Sequence, residues 1–170
     1  LALIIIACSS NDAANSTSKL PLSIQSVDET KAKVNGKTWE VIDIGVMSPN
    51  KADNTDYSDI LWITEDKTMD DYTKNALDKF QGTRMVINKD GTGSAFIEDF
   101  VMYGKQTFSV TEKNGMQLQI MGDSAQSPTY GKLIEYTISY KILGVNDAKL
   151  FLETSSEINR KKAVLLMQAK

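Results

Sequence analysis

The stretch that decides the fold is residues 133–142, Leu-Ile-Glu-Tyr-Thr-Ile-Ser-Tyr-Lys-Ile, in which apolar and polar side chains alternate. Successive side chains of a β-strand point to opposite faces, so this alternation predicts a strand with one buried and one solvated face. The predicted buried face carries Ile134, Tyr136, Ile138, Tyr140 and Ile142. Strands of this kind are typical of antiparallel sheets, whereas strands of parallel sheets are apolar on both faces.

The same period of two recurs along most of the chain and predicts eight strands. They lie near residues 37–46, 83–88, 94–102, 106–112, 116–122, 133–142, 149–154 and 162–169. Asp90-Gly91 and Asn114-Gly115 stand between neighbouring strands, and both dipeptides favour tight hairpins because their residues tolerate a positive φ. Asn35-Gly36 suggests in the same way that residues 31–34 fold back on the first strand.

One helix is predicted after the first strand, over residues 68–80. Thr68 and Asp71 stand three apart, as in a capping box, and Gly82 follows as a stop signal. The apolar residues recur at helical spacing on one face: Met69, Tyr72, Ala76 and Phe80. Residues 60–63, which precede the helix, form either a short strand or the segment that docks the helix.

Together these elements predict a mainly β domain. Eight sequential strands with short connections favour a closed, antiparallel, up-and-down barrel with the helix inserted after the first strand, because closure removes exposed sheet edges. A β-sandwich is the alternative. A chain of 170 residues suits one such domain, which we expect over residues 31–170.

The amino-terminal segment predicts export and anchoring. Residues 1–7 are uniformly apolar, too few to cross a bilayer in a helix, and they are typical of the end of a signal peptide that is cleaved off. Ile5-Ile6-Ala7-Cys8 resembles the lipobox of bacterial lipoproteins, which implies an acylated Cys8. Residues 8–30 are mostly small and polar and predict a flexible tether. The alternative is a buried amino-terminal strand in which Cys8 is a core residue.

A second resemblance concerns the barrel. The run Gly36-Lys-Thr-Trp39-Glu-Val, the Asp90-Gly-Thr hairpin and the closing Tyr-x-Ile-x-Tyr and Leu-Phe-Leu strands resemble small bacterial lipocalin-like lipoproteins. The resemblance implies a lipocalin-like barrel in which Trp39 plugs the base. With the lipobox it implies a protein of the bacterial cell envelope, anchored by palmitate or a similar acyl chain to the outer membrane, at its periplasmic or surface face.

The amino-acid composition excludes several classes of function. Nineteen basic against 22 acidic residues give a net charge of −3, which disfavours nucleic acid as a partner. The chain has no histidine and one cysteine, so triads with a histidine base, histidine-ligated zinc and internal disulfides are excluded. Glu98 and Asp99 are strand neighbours that point to opposite faces, and so do Glu40 and Asp43 three residues apart. We therefore expect no catalytic or metal site, no cofactor and no enzyme, with a histidine-free hydrolase as the weakest alternative.

Two functions remain open for the barrel. In the first, a lumen binds a small hydrophobic ligand, and the segment from Trp62 to Phe80 covers its mouth. The candidate ligand-binding residues are Trp39, Trp62, Tyr72, Phe108, Tyr136, Ile138 and Tyr140. In the second, the same side chains fill a solid core, and the domain is an accessory scaffold that contacts envelope proteins.

Overall fold

The computed structural model describes residues 26–47, 60–97, 102–126 and 133–170. Within these ranges the chain forms two short helices and nine strands, and the strands make one antiparallel sheet. The elements are α1 (Val27–Val34), β1 (Lys37–Met47), β2 (Leu61–Trp62), α2 (Asp71–Asp78), β3 (Arg84–Ile87), β4 (Thr92–Phe96), β5 (Met102–Glu112), β6 (Met116–Gln126), β7 (Leu133–Val145), β8 (Lys149–Ile158) and β9 (Lys161–Ala169).

Eight of these strands close into a barrel because β1 pairs with β9 from Trp39, opposite Ala169, to Met47, opposite Lys162. Around the barrel each strand lies beside the next one in the chain. The two-residue β2 stands apart from this order and pairs only with the end of β1. The predicted up-and-down barrel is therefore confirmed, and it replaces the β-sandwich alternative.

The hairpin turns have the backbone geometry that their residues favour. Gly91 has a φ of +81°, and Asn114 and Gly115 have φ values of +56° and +98°. The turn between β8 and β9 was not marked by a glycine, yet Asn159 and Arg160 both take positive φ values, +53° and +63°. Two successive left-handed residues are the geometry of the tight turns that match the twist of a hairpin.

The segment before β1 differs from the prediction. Residues 27–30 belong to helix α1 rather than to the tether, and residues 31–34 continue this helix instead of folding back on β1. The helix begins with a capping box, in which the Ser26 hydroxyl accepts a hydrogen bond from the backbone N–H of Glu29, and the Glu29 carboxylate accepts one from the backbone N–H of Ser26. This reciprocal pair stabilises a helix start. The rest of the predicted tether lies outside the described residues.

Helix α2 is shorter than predicted, and one residue of its predicted apolar stripe is exposed. It begins after Asp70, whose carboxylate accepts hydrogen bonds from the backbone N–H and the hydroxyl of Thr73, both at 2.8 Å. The buried helical residues are Thr73 and Leu77, whereas Tyr72 is 68% exposed. The helix is capped by Asp70 rather than Thr68. Of the predicted stripe, Met69 and Phe80 are buried and Ala76 packs against the core, so the prediction is wrong for Tyr72.

The barrel interior is a packed apolar core that the two helices close at opposite ends. At the end where β1 starts, the indole N–H of Trp39 donates to the carbonyl of Val34, the last residue of α1, at 2.9 Å. At the end where β1 finishes, Leu77 of α2 joins the same core, and the Asn159 amide donates to the Thr73 hydroxyl at 3.0 Å.

A second apolar cluster lies on the outside of the barrel wall. On β9, Leu165 belongs to the interior core, while its neighbours Val164 and Leu166 point to the other face. We call this group the outer cluster: Met47, Ile60, Trp62, Leu143, Phe151, Val164 and Leu166. The rings of Trp62 and Phe151 meet edge to face, with centroids 6.3 Å apart. The segment around β2 is thus both a short strand and a cover for the wall.

Candidate binding cleft

The barrel wall has a gap where β1 changes neighbour. Residues 37–40 of β1 pair with β3, and Gly45 and Val46 pair with β2. The ends of the gap are marked by two backbone hydrogen bonds, from Val41 N–H to the Thr83 carbonyl (3.0 Å) and from Ile63 N–H to the Ile44 carbonyl (2.9 Å). Between these bonds, Ile42 and Asp43 pair with neither β2 nor β3.

A cleft of about 340 Å³ occupies this gap. It is lined by Val41, Ile42, Asp43, Ile44, Ile63, Thr64, Gln81 and Gly82. Its volume is at the lower end of the range of small-molecule sites, about 300–1,000 Å³. Its lining, mostly aliphatic with a few polar groups, is also typical of such sites.

A β-bulge forms the floor of the cleft. The pairing of β1 with β9 shifts register between Val41 and Asp43, so that Ile42 is one extra residue in β1. In a regular strand Glu40 and Asp43 would face opposite sides, which is what the sequence predicted. The inserted residue reverses this relation, so both carboxylates lie outside the barrel wall and that prediction is wrong.

Asp43 is the buried charged group of the cleft, at 7% exposure. One carboxylate oxygen accepts a hydrogen bond from the backbone N–H of Ile44 at 2.9 Å, and the other accepts one from the Thr64 hydroxyl at 2.5 Å. The first bond satisfies a backbone donor on the side of β1 that faces the gap and not β9. Among the ion pairs of the described residues, none includes Asp43.

Glu40 has a different environment although it lies on the same strand and the same side. Its carboxylate pairs with the Arg84 guanidinium at 3.4 Å and with the Lys170 ammonium at 3.5 Å. Both pairs are partly exposed to solvent, where ion pairs contribute little to stability. The two carboxylates therefore differ in their environment: Glu40 is paired with cations at the surface, and Asp43 is buried in the cleft.

Most of the predicted ligand-binding residues lie inside the packed core. Trp39 is fully buried, and Phe108 and Tyr140 are each 3% exposed. Ile138 is half-buried and packs against the same core. The structure therefore brings these four together, but as parts of a packed interior and not as the lining of the cleft.

The other predicted site residues are dispersed. Trp62 belongs to the outer cluster and Tyr72 projects into solvent from α2. Tyr136 is half-buried, and its ring lies across Gly122 of β6, so closely that a Cβ at Gly122 would be 2.3 Å from the Tyr136 hydroxyl oxygen. Cys8, the predicted lipidation site, and Glu98 and Asp99 lie outside the described residues.

Comparison with known proteins gives this chain no relative. No protein family, no curated protein and no solved structure matches it. The cleft and its buried carboxylate therefore have to be interpreted from their own chemistry.

Among the described residues, the carboxylates with shifted pKa values lie at caps and turns, away from the cleft lining. Hydrogen bonds from the Ser26 side chain and backbone lower the pKa of Glu29 below its usual value, and those from Thr68 do the same for Asp66. Backbone and hydroxyl donors of Thr73 lower the pKa of Asp70, and those of Thr92 lower that of Asp90. These groups stabilise local structure and point to no site.

The residues that the structure describes contain neither a metal-binding cluster nor a membrane-spanning helix. No group of three or more histidine, cysteine, aspartate or glutamate side chains is arranged there to hold a metal ion. None of the helices found there is long and apolar enough to cross a membrane.

Sequence reasoning missed the cleft because a bulge leaves no periodic signal. One indication was present in Gly45, a glycine within a strand, which often marks close approach of another segment. A Cβ at Gly45 would lie 2.7 Å from the Ile60 side chain and 2.8 Å from the Leu61 carbonyl oxygen. Gly45 thus permits β2 to approach β1 just beyond the cleft.

Proposed function

We propose that this chain is an exported bacterial lipoprotein, held on the cell-envelope membrane by an acylated Cys8, whose lipocalin-like barrel binds a small hydrophobic ligand without catalysing a reaction. The lipobox-like Ile5-Ile6-Ala7-Cys8 supports the anchor. Several acyl chains on one cysteine make a stable anchor, since each buried methylene contributes about 0.8 kcal/mol.

The observation that carries the binding function is the aliphatic cleft beside a packed interior. Four of the seven side chains that sequence analysis assigned to a lumen instead belong to or pack against a buried core. The cleft at the β1 bulge offers about 340 Å³ and an apolar lining. We therefore assign the ligand to the barrel wall and give the interior a structural role.

The anchor is tested by fractionation of cells that express the exported protein with Cys8→Ser. We expect the variant to leave the membrane fraction and to lose incorporation of labelled palmitate, while a matched Ser10→Ala control keeps both. Unchanged membrane retention of Cys8→Ser would overturn the anchoring.

The ligand site is tested with an apolar fluorescent probe and two single-tryptophan variants, Trp39→Phe and Trp62→Phe. Trp62 immediately precedes the cleft residues Ile63 and Thr64, whereas Trp39 lies in the core beside α1. We expect saturable quenching of Trp62 in the Trp39→Phe variant and little change of Trp39 in the Trp62→Phe variant. Quenching of Trp39 alone would place the ligand in the lumen and overturn the wall site.

The second candidate function is a scaffold that contacts envelope proteins, and the packed core favours it. Phe96 on β4 is 59% exposed, beyond Thr92 and Gly93, where β4 pairs with β5. An exposed aromatic of this kind is typical of contact sites between proteins. A photo-crosslinking residue at position 96 would capture a specific envelope protein if this candidate is right, and capture equal to that of a control at exposed Glu112 would count against it.

A further inference from the structure

We propose that the cleft selects ligands with a positively charged amino head on an apolar stem, that is, small organic amines. The inference rests on the proposed function, because it names the ligand class of the same site. It starts from one observation, a buried carboxylate that no positively charged side chain of the described residues neutralises.

A buried carboxylate without a counter-charge is costly to fold. Burying an ionised group requires either a partner charge or a full set of hydrogen bonds. Asp43 has two donors, the Ile44 N–H and the Thr64 hydroxyl, whereas an ionised carboxylate has about four acceptor positions. Asp43 therefore keeps acceptor capacity and an uncompensated charge at the floor of an open cleft.

The other polar side chains of the cleft also offer acceptors. The Thr64 hydroxyl uses its proton in the bond to Asp43, which leaves its lone pairs for an incoming donor. The side-chain amide of Gln81 donates one N–H to the Asp78 carboxylate at 2.8 Å, which leaves its carbonyl oxygen as an acceptor and its second N–H as a donor. An ammonium group has three donors and no acceptor, which matches a site of this composition.

The remaining lining explains the apolar stem. Val41, Ile42 and Ile63 supply aliphatic surface on the floor and one wall. A polar or doubly charged amine would leave this surface unused, and a neutral apolar molecule would leave Asp43 unpaired. A ligand with both parts satisfies both halves of the cleft, as orienting polar groups do in apolar ligand sites.

The test is a pair of probes of equal chain length, hexylamine and hexan-1-ol, titrated into the full chain with Cys8→Ser and followed by amide NMR shifts. We expect hexylamine to bind at least tenfold more tightly than hexan-1-ol, with shifts centred on residues 41–44, 63–64 and 81–82. Asp43→Asn should remove this preference by weakening hexylamine at least tenfold and leaving hexan-1-ol unchanged. The matched control Glu112→Gln removes the same charge from the exposed β5–β6 hairpin and should leave both affinities unchanged.

A second variant keeps the test decisive if Asp43→Asn does not fold. Ile42 lines the cleft and is 41% exposed, so Ile42→Lys places an ammonium group beside Asp43 with little disturbance of the core. We expect it to compete with hexylamine from within the chain and to weaken its binding at least tenfold. Ile42→Met is the control, because it has similar length and no charge.

The outcomes separate the two proposals. Equal binding of both probes at the cleft would overturn charge selection and leave the wall site standing. Hexylamine binding that survives both Asp43→Asn and Ile42→Lys would also overturn charge selection. Shifts confined to core residues such as Trp39 and Phe108 would overturn the wall site together with the inference, and failure of hexylamine to bind at millimolar concentration would overturn the inference alone.

Discussion

The two sides of the barrel differ in the cover of their outer face. On β9 the consecutive residues from Ala163 to Met167 are all buried, because the outer cluster covers the face that turns away from the interior. On β5 burial alternates, with Phe108 inside and Thr107 exposed to solvent. At β9 the wall therefore lies between the interior core and the outer cluster, whereas at β5 it lies between the interior core and solvent. The cleft opens at the edge of the thicker side, where the covering segment leaves the wall.

The sharpest test of this comparison is a pair of neighbours on β9. Leu165→Ala opens a cavity in the interior core and Leu166→Ala opens one in the outer cluster, and both leucines are fully buried. We expect each to lower the free energy of unfolding by about 2–5 kcal/mol, measured by denaturant titration. Gln168→Ala on the same strand is the exposed control and should change it by no more than about 0.5 kcal/mol. A comparably small effect of Leu166→Ala would show that the outer cluster is ordinary surface.

The next effect concerns the attachment of the covering segment. Gly45→Ala brings a Cβ within 3.0 Å of Ile60, Leu61 and Trp62, so either the segment shifts or the strand distorts. We expect a loss of about 1–3 kcal/mol, the usual cost of overpacking, together with a red shift of Trp62 emission in a Trp39→Phe background. Ile42→Ala, at an exposed position of the same strand, is the control. Unchanged emission and stability in Gly45→Ala would mean that β2 is not held against β1.

A comparison of the hairpin turns of the two sides predicts a smaller effect, an increase in the free energy of unfolding. Arg160 has a φ of +63°, a conformation that costs an L-residue about 1–2 kcal/mol, so Arg160→Gly should raise the free energy of unfolding by up to about 1 kcal/mol. Asn114→Gly, in the β5–β6 turn of the thinner side, should raise it less because asparagine tolerates the left-handed region. Equal gains from both variants, measured as denaturation midpoints, would contradict this difference.

The smallest expected effect is the dependence of stability on acidic pH. The pKa values of Glu29, Asp66, Asp70 and Asp90 are lower in the folded chain than their usual values because they accept hydrogen bonds at caps and turns. Their stabilisation is present above the unfolded pKa values, about 4, and is lost as the pH falls through the lowered folded values. Denaturation midpoints measured from pH 6 to pH 2 should therefore decrease, and Asp70→Asn should flatten the decrease. A midpoint that rises on acidification would contradict the assignment.

The barrel was predictable where the sequence repeats a simple rule. Alternation in residues 133–142 gave the right faces for Ile138 and Tyr140, and Asn114-Gly115 gave the right turn. The sequence also contains the pattern of a capping box, since Glu29 follows Ser26 by three residues. Because the surrounding residues are mostly polar, α1 was assigned to the tether. These features are local, so local patterns are sufficient to find them.

The cleft was not predictable because it depends on pairing between distant segments. The extra residue Ile42 is defined only against β9, and the gap beside it exists only because β2 and β3 meet β1 at separate places. A strand read alone assigns Asp43 to the wrong side. The bulge and the contact with Thr64 together bury the Asp43 carboxylate, and the functional inference depends on this burial.

Closure between β1 and β9 also constrains the order in which the sheet can form. The barrel cannot close until β9 (Lys161–Ala169) has been synthesised, because β9 is the strand that pairs with the free edge of β1. Such long-range pairing slows folding, and an unclosed sheet leaves two unsatisfied edges. In a nascent chain β1 therefore lacks one of its two neighbours until β9 has been synthesised, and the edges of the unclosed sheet are exposed for that time.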